Sequence, residues 1–249
     1  VKKTLHITCI IGLILLSFSC KKKEQEVAID PATGCTNCTP SYASTFVGFF
    51  KATTYTLSAP LSTSTVSSRA SAYFSNTAVS VPSASSATTV TNVFFNNDTL
   101  KDTGAPYYYT NYLPVNVSTK TWSVTGAGPI PSFSFNDLKE KPGYTSMSVL
   151  PDTVRKSVGF AIVLSGVQNI TGASAYISDG YLIPSVFSKV VKAGNDTLNF
   201  TIENLSSLST STNAVITIFM ENAFAVKVDT KDFKMSNEST YSKRVVIKD

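Results

Sequence analysis

Histidine is almost missing from this chain of 249 residues, which holds only His6. Residues 1–19 read as a targeting peptide, so the mature chain is expected to carry no histidine at all. Ser-His-Asp triads, Cys-His dyads, His-ligated zinc and covalently attached haem drop out with it. Charge is scarce too, at 15% of residues against about 25% in ordinary soluble domains. The formal net charge of +5 comes mainly from Lys2, Lys3, Lys21, Lys22 and Lys23; from residue 41 onward 16 Lys and Arg face 13 Asp and Glu, scattered singly. No basic stripe is left for phosphates to read, and no nucleic-acid partner is expected. The chain contains no D-x-D-x-D-G, G-x-x-x-x-G-K or G-x-G-x-x-G segment, so no calcium, nucleotide or dinucleotide site is expected and no cofactor is called for.

What is present begins at the N-terminus. Lys2 and Lys3 precede an apolar run from Ile7 to Phe18, and small Ser19 follows. The run is 12 residues long, short of the ~20 that a spanning helix needs, and has the parts of a secretory signal. Leu16-Ser17-Phe18-Ser19-Cys20 resembles a bacterial lipobox, which implies that Cys20 becomes the first mature residue and is diacylated on sulfur. Two acyl chains at about 0.8 kcal/mol per buried CH₂ give stable anchoring, and the three lysines after Cys20 would lie at the headgroups. Cys20-Lys21-Lys22-Lys23-Glu24-Gln25-Glu26 also resembles the start of outer-membrane lipoproteins of bacteroidete-type bacteria. That resemblance implies a lipid-anchored location at the outer membrane or cell surface, with the membrane itself as one partner.

Residues 20–40 are polar and aperiodic and read as a flexible tether. Inside them, Cys35-Thr36-Asn37-Cys38 offers a redox pair, half a zinc site or a small disulfide. Zinc lacks further ligands and no βαβ context supports a redox pair, which leaves a local Cys35–Cys38 disulfide as the expectation and no metal. Beyond residue 41 the pattern is that of strands: Trp122 with Val124, Met147 with Val149, Phe160 with Ile162 and Leu164, Leu198 with Phe200, and Phe224 with Val226 and Val228 alternate with polar residues. Helix is confined to one turn at 137–141 and another near Leu205 to Leu208. Strands are expected near 146–150, 157–165, 172–178, 186–192, 197–202, 213–221, 223–229 and 241–248. The fold class is therefore all-β, read as two tandem immunoglobulin-like antiparallel β-sandwiches over 41–136 and 144–249. The Pro- and Gly-rich stretch from Gly126 to Gly143 serves as the junction, and a single larger sandwich is the alternative.

Three sets of residues invite a functional reading. Tyr107 and Tyr109, with Trp122 a strand away, could cover the apolar face of a sugar ring, or could simply pack within and across strands. Asp98-Thr99-Leu100, Asp152-Thr153-Val154 and Asp196-Thr197-Leu198 repeat one step. They resemble the O-glycosylation acceptor motif of exported bacteroidete-type proteins, which makes Thr99, Thr153 and Thr197 candidate acceptors; turn-to-strand junctions alone generate the same pattern. Carboxylates are dispersed, and no catalytic residue is assigned. The expected role is a non-catalytic binding or scaffold protein of the envelope, its partner an envelope protein. Glycan capture is the alternative.

Overall fold

The computed structural model describes residues 32–33, 38–58, 65–103, 107–110, 120–143, 150–164, 170–179, 191–192 and 197–249. Residues 1–31, with Cys20, lie outside them.

The dominant element is a hairpin of two 18-residue strands, numbered here in chain order as β16 (Ser211–Val228) and β17 (Lys231–Lys248). A two-residue turn joins them, with Asp229 at φ 52°, a left-handed conformation that Asp tolerates better than most side chains. The hairpin lies inside one long sheet. On the β17 side β3 (Phe46–Ser58) runs parallel to residues 233–243, and beyond it lie β4 (Thr65–Val79), β8 (Tyr107–Thr110) and β7 (Lys101–Asp102). Farther along the same strand, β11 (Thr153–Arg155) pairs with 246–248, also in parallel. On the β16 side β13 (Gly172–Ser178) covers 215–221, with β14 (Val191–Lys192) beyond it, and β2 (Cys38–Pro40) covers 226–228.

Two smaller sheets cover the inner face of this long one. The first has the order β1 (Ala32–Thr33), β10 (Phe133–Asp137), β9 (Lys120–Thr125), β5 (Asn92–Phe95), β6 (Asp98–Thr99). The second is β12 (Phe160–Val163) with β15 (Thr197–Phe200), followed by the short helix α1 (Ile202–Ser206). Each lid encloses its own core. Under the first lie Phe50, Phe74, Trp122, Phe133, Phe135 and Phe233; under the second lie Leu150, Ile162, Leu198, Leu205, Ile216 and Ile247. Phe50 is the hub of the first core, 1% exposed, with ring centroids 5.1 Å from Trp122, 5.5 Å from Phe74 and 5.8 Å from both Phe133 and Phe135. Gly48 is small for the same reason: a Cβ there would stand 2.5 Å from Phe233 Cδ1.

The all-β class holds, and the hairpin crosses the boundary expected near 137–143. Val226, Val228, Phe233 and Met235 near its tip complete the first core, while Ile216, Ile218, Val245 and Ile247 near its base belong to the second. The two packing units thus share strands instead of following one another along the chain. The expected separate strands at 213–221 and 223–229 are one continuous β16. Gly126 to Pro131 is a turn inside the first lid, closed by Ile130 N–H to the Ala127 carbonyl at 3.1 Å. Residues expected to form a tether are partly sheet, since β1 pairs with Asn136 and Asp137 and β2 with Val226 to Val228. Short edge strands need only backbone pairing, which leaves no apolar pattern to read.

The segment after β10 is not a helical turn. It crosses the inner face of the long sheet between the two cores, where β16 and β17 present polar side chains. Asn222 Nδ2 donates to the Glu140 carbonyl at 2.8 Å, Ser239 Oγ to the Pro142 carbonyl at 2.6 Å, and Asn237 Nδ2 to the Lys139 carbonyl at 3.2 Å. Those side chains satisfy carbonyls that a helix would otherwise have satisfied itself.

Candidate functional site

The residues first considered for sugar stacking separate. Trp122 is 1% exposed in the first core, 4.6 Å from the Phe95 ring, and cannot meet a ligand. Its alternation with Val124 on a lid strand turns both inward, the packing alternative weighed for it. Tyr107 and Tyr109 lie on β8, in register with Tyr73 and Ser71 of β4; their side chains lie outside the described residues.

Cys38 is disulfide-bonded, and Cys35 lies outside the described residues. Thr99 and Thr153 are exposed and Thr197 is half-buried; Thr153 and Thr197 open their strands, whereas Thr99 ends β6. The third residue of each step, Leu100, Val154 and Leu198, is buried in a core. The three steps thus share an inward aliphatic residue, and two of them, at Thr153 and Thr197, mark chain entry into a strand.

The strongest site lies on the outer face of the long sheet. On β17 the inward residues are Phe233, Met235, Asn237 and Ser239, so Lys234, Ser236, Glu238 and Thr240 face the other way. Register aligns Glu238 with Thr53 of β3 and Glu221 of β16, and Thr240 with Tyr55 and Phe219; Gly172 of β13 stands opposite Glu221. The result is a shallow cavity of about 430 Å³ lined by Lys51, Tyr55, Gly172, Phe219, Glu221 and Glu238. A Cβ on Gly172 would meet nothing within 4 Å, so the glycine leaves that wall open. Tyr55 is 36% exposed, with the Arg69 guanidinium 5.9 Å from its ring, and Phe219 packs 5.5 Å from Tyr176.

Charges alternate across the cavity. Lys51 Nζ lies 2.7 Å from Glu238 Oε1, and Thr53 Oγ1 donates to Glu238 Oε2 at 3.2 Å. Lys234 Nζ lies 2.8 Å from Glu221 Oε1, which also accepts from Ser236 Oγ at 2.7 Å. Among the described residues, nothing donates to Glu221 Oε2. Burial alone would push the Glu221 carboxyl up, yet Lys234 and Ser236 outweigh it and hold its pKa below the ordinary value. Burial likewise disfavours the Lys51 ammonium, but Glu238 reverses the balance and raises its pKa. Beneath the rings, Thr240 is 5% exposed and its hydroxyl has no hydrogen-bond partner among the described residues.

Glu221 and Glu238 are cross-strand partners, a spacing of about 5 Å between Cβ atoms, which invites comparison with a glycosidase pair. Such a pair needs one carboxyl held protonated near neutrality. Glu221 is shifted the opposite way. The arrangement is equipped to accept and donate hydrogen bonds beside an apolar ring.

Sequence reasoning missed this face. Lys51, Thr53, Tyr55 and Leu57 do alternate at period two, but only the parallel register of β3 on β17 brings them beside Glu238 and Glu221. No group of three or more potential metal ligands forms among the described residues, and no helix among them is long and apolar enough to cross a membrane. Comparison with known proteins finds no family model and no curated protein that matches this chain.

Proposed function

We propose that this protein is a non-catalytic, lipid-anchored binding protein of the outer membrane or cell surface that takes a neutral carbohydrate on the outer face of its long sheet. The observation that carries the ligand class is the cavity itself. The lysines and glutamates here are paired with one another, Lys51 with Glu238 and Lys234 with Glu221, and Arg69 lies over the Tyr55 ring, so the face concentrates no charge of one sign for a small ion. Hydroxyl groups, which both donate and accept, match such a mixed surface, with Glu221 Oε2 as the open acceptor. Tyr55 and Phe219 supply apolar rings for the C–H face of a pyranose. Anchoring rests on the lipobox resemblance at Cys20, and the sheet edges and loops remain available to an envelope protein partner.

The test is a glycan array followed by calorimetry on the best binder, with Tyr55→Ala and Glu221→Gln alongside. Binding by the native chain, lost or weakened at least tenfold in both variants while the β-type circular dichroism spectrum is kept, supports the reading. Binding unaffected by either variant refutes the placement, and a blank array turns the assignment toward a protein ligand. Membrane fractionation of Cys20→Ser tests the anchor separately: release into the soluble fraction is expected.

A further inference from the structure

A second cluster, on the inner face between the two cores, has no part in that binding face. Lys120 of β9 and Asp137 of β10 are cross-strand partners in the first lid, and Asn237 of β17 meets them from the long sheet. Asp137 is 2% exposed, Asn237 is 1%, and the Lys120 side chain is 12%. Lys120 Nζ donates to the Lys139 carbonyl and lies 3.8 Å from Asp137 Oδ2. Asn237 Nδ2 lies 2.8 Å from that same Oδ2 and 3.2 Å from that same carbonyl. An amine and a carboxamide thus converge on one carboxylate oxygen and one backbone oxygen, in a site closed to water. The Asn237 side-chain oxygen is buried with no hydrogen-bond partner among the described residues.

We propose that Lys120, Asp137 and Asn237 form a self-modification site in which Lys120 and Asn237 become joined by an intramolecular isopeptide bond. The Lys120 Nζ lone pair attacks Asn237 Cγ, and a C–N bond forms. Asp137, in its uncharged form, gives its proton to Asn237 Nδ2, which lies 2.8 Å from its Oδ2, and takes one from the attacking Lys120 amine, 3.8 Å from that oxygen. The Cγ–Nδ2 bond then breaks, ammonia leaves, and Asp137 returns to its starting state. The overall change is amine plus primary amide to secondary amide plus ammonia, with no oxidant, reductant or second substrate.

Two features favour reaction over a plain hydrogen-bonded clasp. Burial is the leading influence on both ionisable groups and drives each toward its uncharged form: the Lys120 amine is held below its ordinary pKa against the pull of Asp137, and the Asp137 carboxyl above its own. An uncharged amine is the nucleophile such a step needs. Positioning is supplied by the fold, since the three residues sit on three strands of two packed sheets, and reacting groups held in place gain most of what an encounter in water would cost. The product would bridge the lid strand β9 to the central strand β17.

The experiment is mass spectrometry on the full chain, purified, reduced and denatured, with peptide mapping so that the readout does not depend on where the mature N-terminus falls. The expected result is a branched peptide joining Lys120 to Asn237 and a mass below the sequence value by one ammonia. Lys120→Arg and Asp137→Ala should both yield linear peptides only, and Asn237→Asp, if it reacts, should lose water instead. Linear Lys120 and Asn237 peptides from the native chain overturn the proposal regardless of how the variants fold. A branch at Asp137 with loss of water, or an unbranched Asn237 peptide lacking ammonia, overturns it equally.

Discussion

Truncating Phe50 to alanine tests whether the two cores behave as one cooperative body. The side chain is 1% exposed and packs edge-on against Phe74, Trp122, Phe133 and Phe135. Replacing a buried Phe by Ala costs about 3–5 kcal/mol, and the edge-to-face ring contacts place this site toward the upper end. Domains of ordinary stability hold about 5–15 kcal/mol in total, so the loss is large enough to move any transition to which it is coupled. Two probes separate the units. Fluorescence of Trp122, the only tryptophan, reports the first core directly. Hydrogen exchange of the β13 amides, which pair with β16 far from Phe50, reports the second. Because β16 and β17 line both cores, the urea midpoint seen by Trp122 and the exchange protection of β13 should fall together, by the same free energy. A variant in which the Trp122 transition moves while β13 keeps its native protection would refute the shared-hairpin account.

Gly48→Ala should destabilise by about 1–3 kcal/mol through overpacking against Phe233, and Phe233→Leu should recover part of that in the double variant; thermal melts of the three proteins decide it. Thr201→Ala removes the cap of α1, where Thr201 Oγ1 accepts from Asn204 N–H at 3.3 Å and Asn204 Oδ1 accepts from Thr201 N–H at 3.0 Å, and should cost about 1 kcal/mol in urea unfolding. Glu221 has a lowered folded pKa, so its contribution to stability is present above its ordinary value of 4.5 and is lost as pH falls through the lowered one. Lys51 has a raised pKa, so its contribution is present below 10.5 and is lost as pH rises through the raised value. The contributions of these two groups to stability should therefore be flat between about pH 5 and pH 10. In Glu221→Gln the acid limb of a stability profile should become shallower; a profile that steepens, or stays the same, contradicts the assignment.

Much of the strand content was legible because period two is a local signal. Trp122 with Val124, Ile162 with Leu164, and Leu198 with Phe200 are all buried on core faces, and the helical turn near Leu205 is α1. What escaped was set by partners distant in sequence. Beyond Phe233 and Met235, residues 236–240 carry polar side chains on both faces, Ser236, Glu238 and Thr240 outward and Asn237 and Ser239 inward, so no alternation of apolar with polar marked them as strand. The inward pair is polar because the chain crosses there between the cores and needs donors for its carbonyls. Tyr107 and Tyr109 drew notice by density along the chain, whereas Tyr55, Phe219, Glu221 and Glu238 are brought together from three strands by register. A density of aromatics in sequence is a poor guide when the site is assembled across a sheet.

The order in which the chain is made gives the shared hairpin a further meaning. Residues 46–135 supply most of the first core, but Val226, Val228, Phe233 and Met235, which close it, are synthesised well after them. A chain emerging N-terminus first holds Phe50, Trp122 and Phe135 without their final neighbours until residues 226–235 have been delivered. Pairing between β3 and β17 spans most of the chain length, which makes folding slow as well as late. Such a protein would depend on holding factors while it is incomplete, and truncation before β17 would ruin a core whose other residues were made well before it.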